Sequence, residues 1–328
     1  MSQPETHQPQ SLAPSLAFDV KAEIERITQD MRQVVHTKFR RRGAVVGISG
    51  GIDSSVTLAL CAHTFGPEHV FGVMLPEHES SPDSRALAEE LAARYDVETT
   101  VEDIGPALDG AGCYERRDEA VRKVFPQFGP GWTSKITLPG NLLDQKSLNV
   151  FRLTVVSPEG EESTQRLPPD AYLQIVAASN FKQRMRTSML YYHAERLNYA
   201  VIGTPNKNEH EMGFFVKGGD GLYDYTPIRH LFKTQVYALA RELDVPHSIR
   251  ERVPTTDTYS AGQTQEEFFY RMPFPVLDAI WSAHEQGIAV SETARDLSLT
   301  TEQVERVVAD IIQKKRTTDY LRLAPMGM

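Results

Sequence analysis

Between Phe18 and Phe39 the apolar residues Val20, Ile24, Ile27, Met31, Val34 and Val35 recur mostly three or four positions apart, which predicts an amphipathic helix. Gly43-Ala-Val-Val-Gly-Ile-Ser49 follows as a short, β-branched and almost wholly apolar run. Such a run suits a central parallel strand covered on both faces. After Gly50-Gly51 a helical pattern spans Ser54 to His63 and carries Val56, Leu58, Ala59, Leu60 and Cys61. The rhythm repeats: Val70 to Leu75 predicts a strand, Ser84 to Tyr95 a helix with Leu87 and Leu91 on one face, and Val97 to Val101 a third strand. This alternation implies right-handed βαβ crossovers and an α/β fold, a doubly wound parallel sheet with helices on both faces.

The pattern resumes with a helix over Gln183 to Leu197, a strand over Tyr199 to Gly203 and a helix over Thr234 to Leu243. Residues about 106–172 do not read as βα and form an insertion. The run Leu148 to Val156, the turn Ser157-Pro-Glu-Gly160 and the polar Glu161 to Arg166 predict a β-hairpin inside it. Pro275 to Lys315 reads as helical, broken near Gly287 and restarting at Ser291 or Thr300. The expected division is a disordered tail, 1–17, a main domain, 18–281, and a C-terminal helical extension, 282–328.

Composition narrows the function classes. With 328 residues, 40% hydrophobic and 24% charged, the chain can bury a substantial core and falls in the ordinary soluble range. A net charge of -9 gives no general reason to bind nucleic acid or anionic membrane, although a local basic site for a phosphorylated ligand is compatible with it. Cys61 and Cys113 are the two cysteines, and neither sits in a metal-ligand or redox spacing. Cys61 reads as a buried thiol within an apolar helix. The polar, Pro-rich start is not a secretory signal, and no run approaches the roughly 20 apolar residues of a membrane span. The expected location is the cytoplasm.

Chemistry concentrates at Ser49-Gly50-Gly51-Ile52-Asp53-Ser54-Ser55. Glycines let the backbone approach an anion, hydroxyls donate to it, and the following helix presents free N–H groups and a positive dipole end. The turn suits pyrophosphate. The Gly-Lys-Ser/Thr ending of a Walker loop is absent, so γ-phosphate transfer is not the implied reaction.

This segment resembles the SGGxDS signature of pyrophosphatase-loop ATP ligases, which cleave ATP between the α and β phosphates. Further motifs resemble the ammonia-dependent NAD synthetase family within that group. They are Leu75-Pro76 with Ser80-Ser81, Asn180-Phe-Lys-Gln-Arg184-Met-Arg186, and Gly203-Thr-Pro-Asn-Lys-Asn-Glu209. Gly213-Phe-Phe215 with Lys217 and Gly219-Asp-Gly221 follows, then Asp224, Leu231-Phe-Lys233-Thr-Gln235, Val253-Pro-Thr-Thr-Asp257 and Gly262-Gln-Thr-Gln-Glu266. The resemblance covers most of the chain from about Asp19 to Trp281 and implies an adenine nucleotide alpha hydrolase-like fold. It makes 18–281 an NAD-synthetase-like ATP ligase domain.

The resemblance also implies the site. Ser49, Gly50, Gly51, Asp53, Ser54, Ser55, Thr204 and Lys233 would bind ATP, and Asp53 with Glu209 would hold Mg2+. Asp53, Lys217 and Lys233 would be catalytic. Asn180, Arg184, Asp220 and Asp224 would contact deamido-NAD, while Asp224 or Asp257 would orient ammonium. Arg186 fits a phosphate grip or an ordinary salt bridge, and His210 reads as a packed or solvated loop residue rather than a base. The implied reaction adenylates deamido-NAD and displaces AMP with ammonia. No glutaminase segment is apparent, so ammonia would arrive free or from a separate partner, and the family pairs as homodimers.

Two other readings stay open at this stage. A paralogous ligase would amidate a different carboxylic acid, with the insertion acting as a lid, a second interface or a new substrate wall. An inactive nucleotide-binding sensor is the other, and retention of Asp53, Glu209, Lys217 and Lys233 argues against it.

Overall fold

The computed structural model describes residues 13–138, 140–144, 151–255 and 259–327. The first βα unit follows the sequence pattern: α1 (Val20–Gln33), β1 (Ala44–Gly47), α2 (Ile52–Phe65), β2 (Val70–Met74), α3 (Pro82–Tyr95) and β3 (Glu98–Val101). Asp19 starts α1 by accepting from the backbone N–H groups of Lys21 and Ala22, each at 3.1 Å. The insertion contains α4 (Gly105–Gly110), α5 (Cys113–Arg122), β4 (Thr133–Thr137), β5 (Arg152–Val156) and β6 (Glu162–Arg166). There follow α6 (Pro169–Leu197), β7 (Ala200–Ile202), α7 (Lys207–Met212), α8 (Lys233–Glu242) and α9 (His247–Arg250). The chain closes with α10 (Phe274–Glu285), α11 (Val290–Asp296), α12 (Thr301–Thr317) and α13 (Asp319–Arg322).

The parallel sheet has the order β3-β2-β1-β7. Successive side chains of a strand point to opposite faces, and β1 uses both. Ala44 and Val46 join the core under α1, α2 and α8, while Val45 packs with Phe71, Val201 and Ala194 of α6 on the other face. Helices on both faces therefore explain the unbroken apolar strands. Reversal of strand order beside β1 opens a crevice at the carboxyl ends of β1 and β7, where such sheets bind ligands.

The insertion is a small body with its own core. The predicted hairpin is present as β5 and β6, and β4 pairs with β5 to complete an antiparallel three-stranded sheet. Phe125 and Phe128 are buried with Ile136, Leu153 and Val155, and Trp132 packs against them. These aromatics fill the insertion's core instead of facing a ligand.

Three expectations are corrected. Within the expected disordered tail, Pro14–Leu16 is a 3-10 turn with Leu16 at 2% exposure, because that side chain enters the core formed by α10 and α12. Its fixing is helped by Ser282 Oγ, which donates to Ser15 O at 2.6 Å. Helix α6 begins at Pro169 rather than Gln183, since Pro at the first position starts a helix without loss of a hydrogen bond and Ala171, Ile175 and Ala178 bury one face. The boundary at 281/282 falls inside α10, whose Trp281 and Ser282 are both buried, so the C-terminal helices belong to the main body. Among the described residues, no helix is long and apolar enough to cross a membrane.

Candidate functional site

A cavity of about 1020 Å³ opens at the carboxyl ends of β1 and β7. Its floor is the Ser49–Ser54 turn. Gly50 has φ 71°, a conformation that favours glycine, and a Cβ there would meet Ser84 O at 2.8 Å. The turn is braced internally: Gly51 N donates to Ser49 Oγ at 3.3 Å, and Ser54 Oγ donates to Gly51 O at 3.0 Å.

Asp53, in the first turn of α2, is gripped from two sides. Asn206 Nδ2 donates to its Oδ1 at 2.9 Å, and the Lys233 ammonium donates to its Oδ2. Lys233 is almost wholly buried. Burial works against its charge, but Asp53 and then Glu209 outweigh that and raise its pKa, so the ammonium is held protonated. Glu209 moves the other way: burial, then the nearby Asp53 carboxylate, push its pKa above the usual carboxylate range, opposed by Lys233. Asn206 links the two carboxylates, since its Oδ1 accepts from Glu209 N at 3.0 Å and its N–H donates to Glu209 Oε2 at 3.2 Å. That reciprocal pair is a capping box at the start of α7.

Of the residues singled out in the sequence, Ser49, Gly51, Asp53, Ser54, Thr204, Glu209 and Lys233 line this cavity, as do Asn180, Arg184, Arg186, Lys217 and Asp220. Gly50 and Ser55 shape the turn from behind, and the Ser55 hydroxyl is spent on Gly51 O at 2.8 Å. Asp224 does not line the cavity. Its carboxylate accepts from Val201 N at 2.8 Å and Tyr191 Oη at 3.2 Å, which fixes the chain beside β7. Asp257 lies outside the described residues. Lys217 reaches the cavity wall, but its ammonium donates to Tyr320 O and Leu323 O, each at 3.0 Å, with the Tyr320 ring 4.3 Å away. His210 stacks on Phe215 at 5.7 Å, and burial with Arg229 and Arg322 lowers its pKa to about 4, in keeping with a packed residue.

The NAD synthase family model matches residues 23–122 and 145–320. The chain belongs to the NAD synthase family. It is 48% identical over 312 residues to an NH(3)-dependent NAD(+) synthetase of Rhizobium rhizogenes, covering 95% of this chain and 94% of that one. Enzymes of this family are ligases. Solved structures with the same fold include an NH3-dependent NAD synthetase of Campylobacter jejuni (20% identity, TM-score 0.60, covering 95% of this chain and all of that one). An NMN synthetase of Francisella tularensis shares it too (23% identity, TM-score 0.63, 95% and 99% covered).

Two matched stretches of the NAD synthase family flank residues 123–144, where β4 of the insertion lies. Beside them, Leu138, Phe151 and Tyr172 line the cavity, so the insertion supplies wall as well as its own core. A substrate wall was one of the three roles the sequence left open for the insertion, whereas Asn206, Arg252 and the C-terminal Thr317, Thr318 and Tyr320, which also line or brace the cavity, were given no role there. The spacing Asn206-x-x-Glu209 before a helix was the available signal for Asn206. Arg252, which donates to Ser84 Oγ at 3.1 Å behind the glycine turn, carried none.

Proposed function

We propose that this protein joins ammonia to the carboxyl group of deamido-NAD, giving NAD, AMP and pyrophosphate. The observation that carries the reading is the convergence of Asp53, Asn206 and Lys233 on the glycine turn, in a cavity whose other wall bears Asn180 and Arg184.

In this reading a carboxylate oxygen of the substrate attacks the α-phosphorus of ATP, and the electrons of the broken P–O bond leave with pyrophosphate. Ammonia then adds to the acyl carbon, AMP departs with the C–O bonding pair, and the nitrogen gives up a proton. Ser49, Ser54 and the free N–H groups at the start of α2 cradle the departing pyrophosphate. Lys233, held charged and buried, stabilises negative charge as it develops there. Asn180, Arg184 and Asp220 orient deamido-NAD, and Thr204 lies at the phosphates. Lys217 acts on the phosphates after exchanging its two C-terminal carbonyl partners for phosphate oxygens.

Asp53 and Glu209 are the residues that would hold Mg2+. Two carboxylates beside a phosphate-binding turn fit this ion, which keeps waters and phosphate oxygens in most of its coordination positions. When bound, Mg2+ supplies charge neutralisation at the phosphates. The carboxylate oxygens of Asp53 retain lone pairs beyond those used by Asn206 and Lys233. The same reading takes free ammonia, or ammonia from a separate partner, and a cytoplasmic homodimer.

Purified protein supplied with deamido-NAD, ATP, MgCl2 and ammonium should form NAD and AMP in equal amounts. Release of ADP instead of AMP, or absence of NAD, overturns the reading. Pyrophosphate release with some other carboxylic acid, in preference to deamido-NAD, would favour the paralogous ligase, which the aromatic wall of Phe151 and Tyr172 makes worth testing.

A further inference from the structure

A group of charged side chains is shut away beside the cavity, and none of them belongs to the machinery described above. Lys182 of α6 has 2% of its side chain exposed and donates to Glu77 Oε1 at 3.2 Å and to Glu79. Tyr114 Oη, on α5 of the insertion, donates to Glu77 Oε2 at 2.6 Å, and Glu79 N donates to the same oxygen at 3.2 Å. Arg117, also on α5, donates to Glu79 and to Asp118. The Tyr114 ring lies 5.2 Å from the Lys182 ammonium and 5.6 Å from the Arg117 guanidinium.

Three segments meet here: the loop between β2 and α3, helix α5 and helix α6. Buried ion pairs are poor stabilisers, because the cost of removing charge from water cancels most of their attraction. Apolar side chains of similar volume would hold the segments together as well. A network of directional bonds does something they do not, which is to permit one relative placement. Two of the placed segments face the cavity within a residue or two of the network. Ser80 and Ser81 follow Glu79 on the loop, and Asn180, Gln183 and Arg184 surround Lys182 on α6. A second strut, Arg186 Nε donating to Leu75 O at 3.2 Å, runs between the same two segments.

We propose that Lys182 is a positioning residue for the acid substrate, and that Tyr114, acting through Glu77, lets the insertion set the spacing between Ser80–Ser81 and Asn180–Arg184. The proposal rests on the reading of Asn180 and Arg184 as contacts to deamido-NAD. The insertion then tunes substrate binding from behind the wall.

Tyr114→Phe and Lys182→Met in the full chain test it. Tyr114→Phe removes one hydroxyl and keeps the ring, so it should fold as the wild type does. The KM for deamido-NAD should rise about fivefold in Tyr114→Phe and about tenfold or more in Lys182→Met, with the KM for ATP within about twofold of wild type. Because both act through Glu77, the double variant should bind the acid no worse than Lys182→Met alone. Without any ligand, amide exchange at Glu79 and Ser80 should accelerate in Tyr114→Phe while α3 keeps its protection. An acid KM within about twofold of wild type in both variants, or an equal rise in both KM values, overturns the proposal. Wild-type protein that makes no NAD would instead sink the functional reading alone, and unchanged exchange at Glu79 and Ser80 would then decide against the network.

Discussion

The ammonium of Lys233 rests on the carboxylate of Asp53, with 1% of the lysine side chain exposed against 14% of the aspartate. A fixed cation so placed needs no reorganisation when charge develops on departing pyrophosphate. Lys233→Met should therefore lower the rate of pyrophosphate release by about 100-fold or more, the usual cost of one electrostatic contact to the transition state. It should also destabilise the fold by roughly 2 kcal/mol, less than a fully enclosed pair would lose, because Asp53 keeps contact with water. A kcat within about tenfold of wild type would remove Lys233 from the catalytic set.

Asn206 is wholly buried and bonds both Asp53 and the start of α7. Asn206→Ala should cost about 2 kcal/mol in urea unfolding, from the lost cap and the unpaired Asp53 oxygen. Asn206→Asp separates the two roles. It retains the cap but sets a second carboxylate against Asp53 Oδ1, so stability should recover in part while activity stays low. Recovery of both would assign Asn206 to folding alone.

Gly213 ends α7 with φ 77°, and a Cβ there would collide with the side chain of Thr318. Gly213→Ala should destabilise by about 1–2 kcal/mol from the left-handed conformation alone. It should also push residues 318–323 away from the cavity rim, freeing the Lys217 ammonium from Tyr320 O and Leu323 O. Hydrogen exchange over 318–323 reads this directly, and unchanged protection there would count against the packing described.

Asp278 is fully buried and accepts from Thr234 N at 2.9 Å and Thr234 Oγ1 at 2.8 Å. Burial outweighs these bonds and raises its pKa from the ordinary aspartate value to about 6. A raised acid binds its proton more tightly in the folded chain than in the unfolded one. Its stabilising contribution is thus complete below the unfolded value near 4 and is lost as pH rises through about 6. Unfolding free energies of wild type minus Asp278→Asn should fall by on the order of 2 kcal/mol between pH 4 and pH 7. A difference that stays flat over that range would place the folded pKa near its ordinary value.

Much of this architecture was legible because neighbouring residues encode it. The strands β1, β2 and β7 are apolar on both faces since helices cover both, and the turn at Gly50–Gly51 announces itself through residue type. The β5–β6 hairpin could be read from its turn residues, whereas β4 could not. Its partner β5 is distant in sequence, and Thr133–Thr137 alternates too weakly to stand out. Leu16 was unreadable for the same reason, as an apolar residue at the end of a polar, Pro-rich tail gains its place only from α10 and α12.

The sequence by itself determined which segments would meet at the cavity, because Ser49 to Ser55, Asn180 to Arg186 and Gly203 to Glu209 are local patterns of type and spacing. Only the tertiary structure decided what each side chain does with its bonding groups. Asp224 bonds Val201 and Tyr191 instead of facing the cavity, Lys217 is taken up by C-terminal carbonyls, and Asn206 joins two carboxylates that are far apart along the chain. A hydrogen bond depends on distance and direction in space, and those are set where β1, β7 and α8 come together, which no local run of residues can specify.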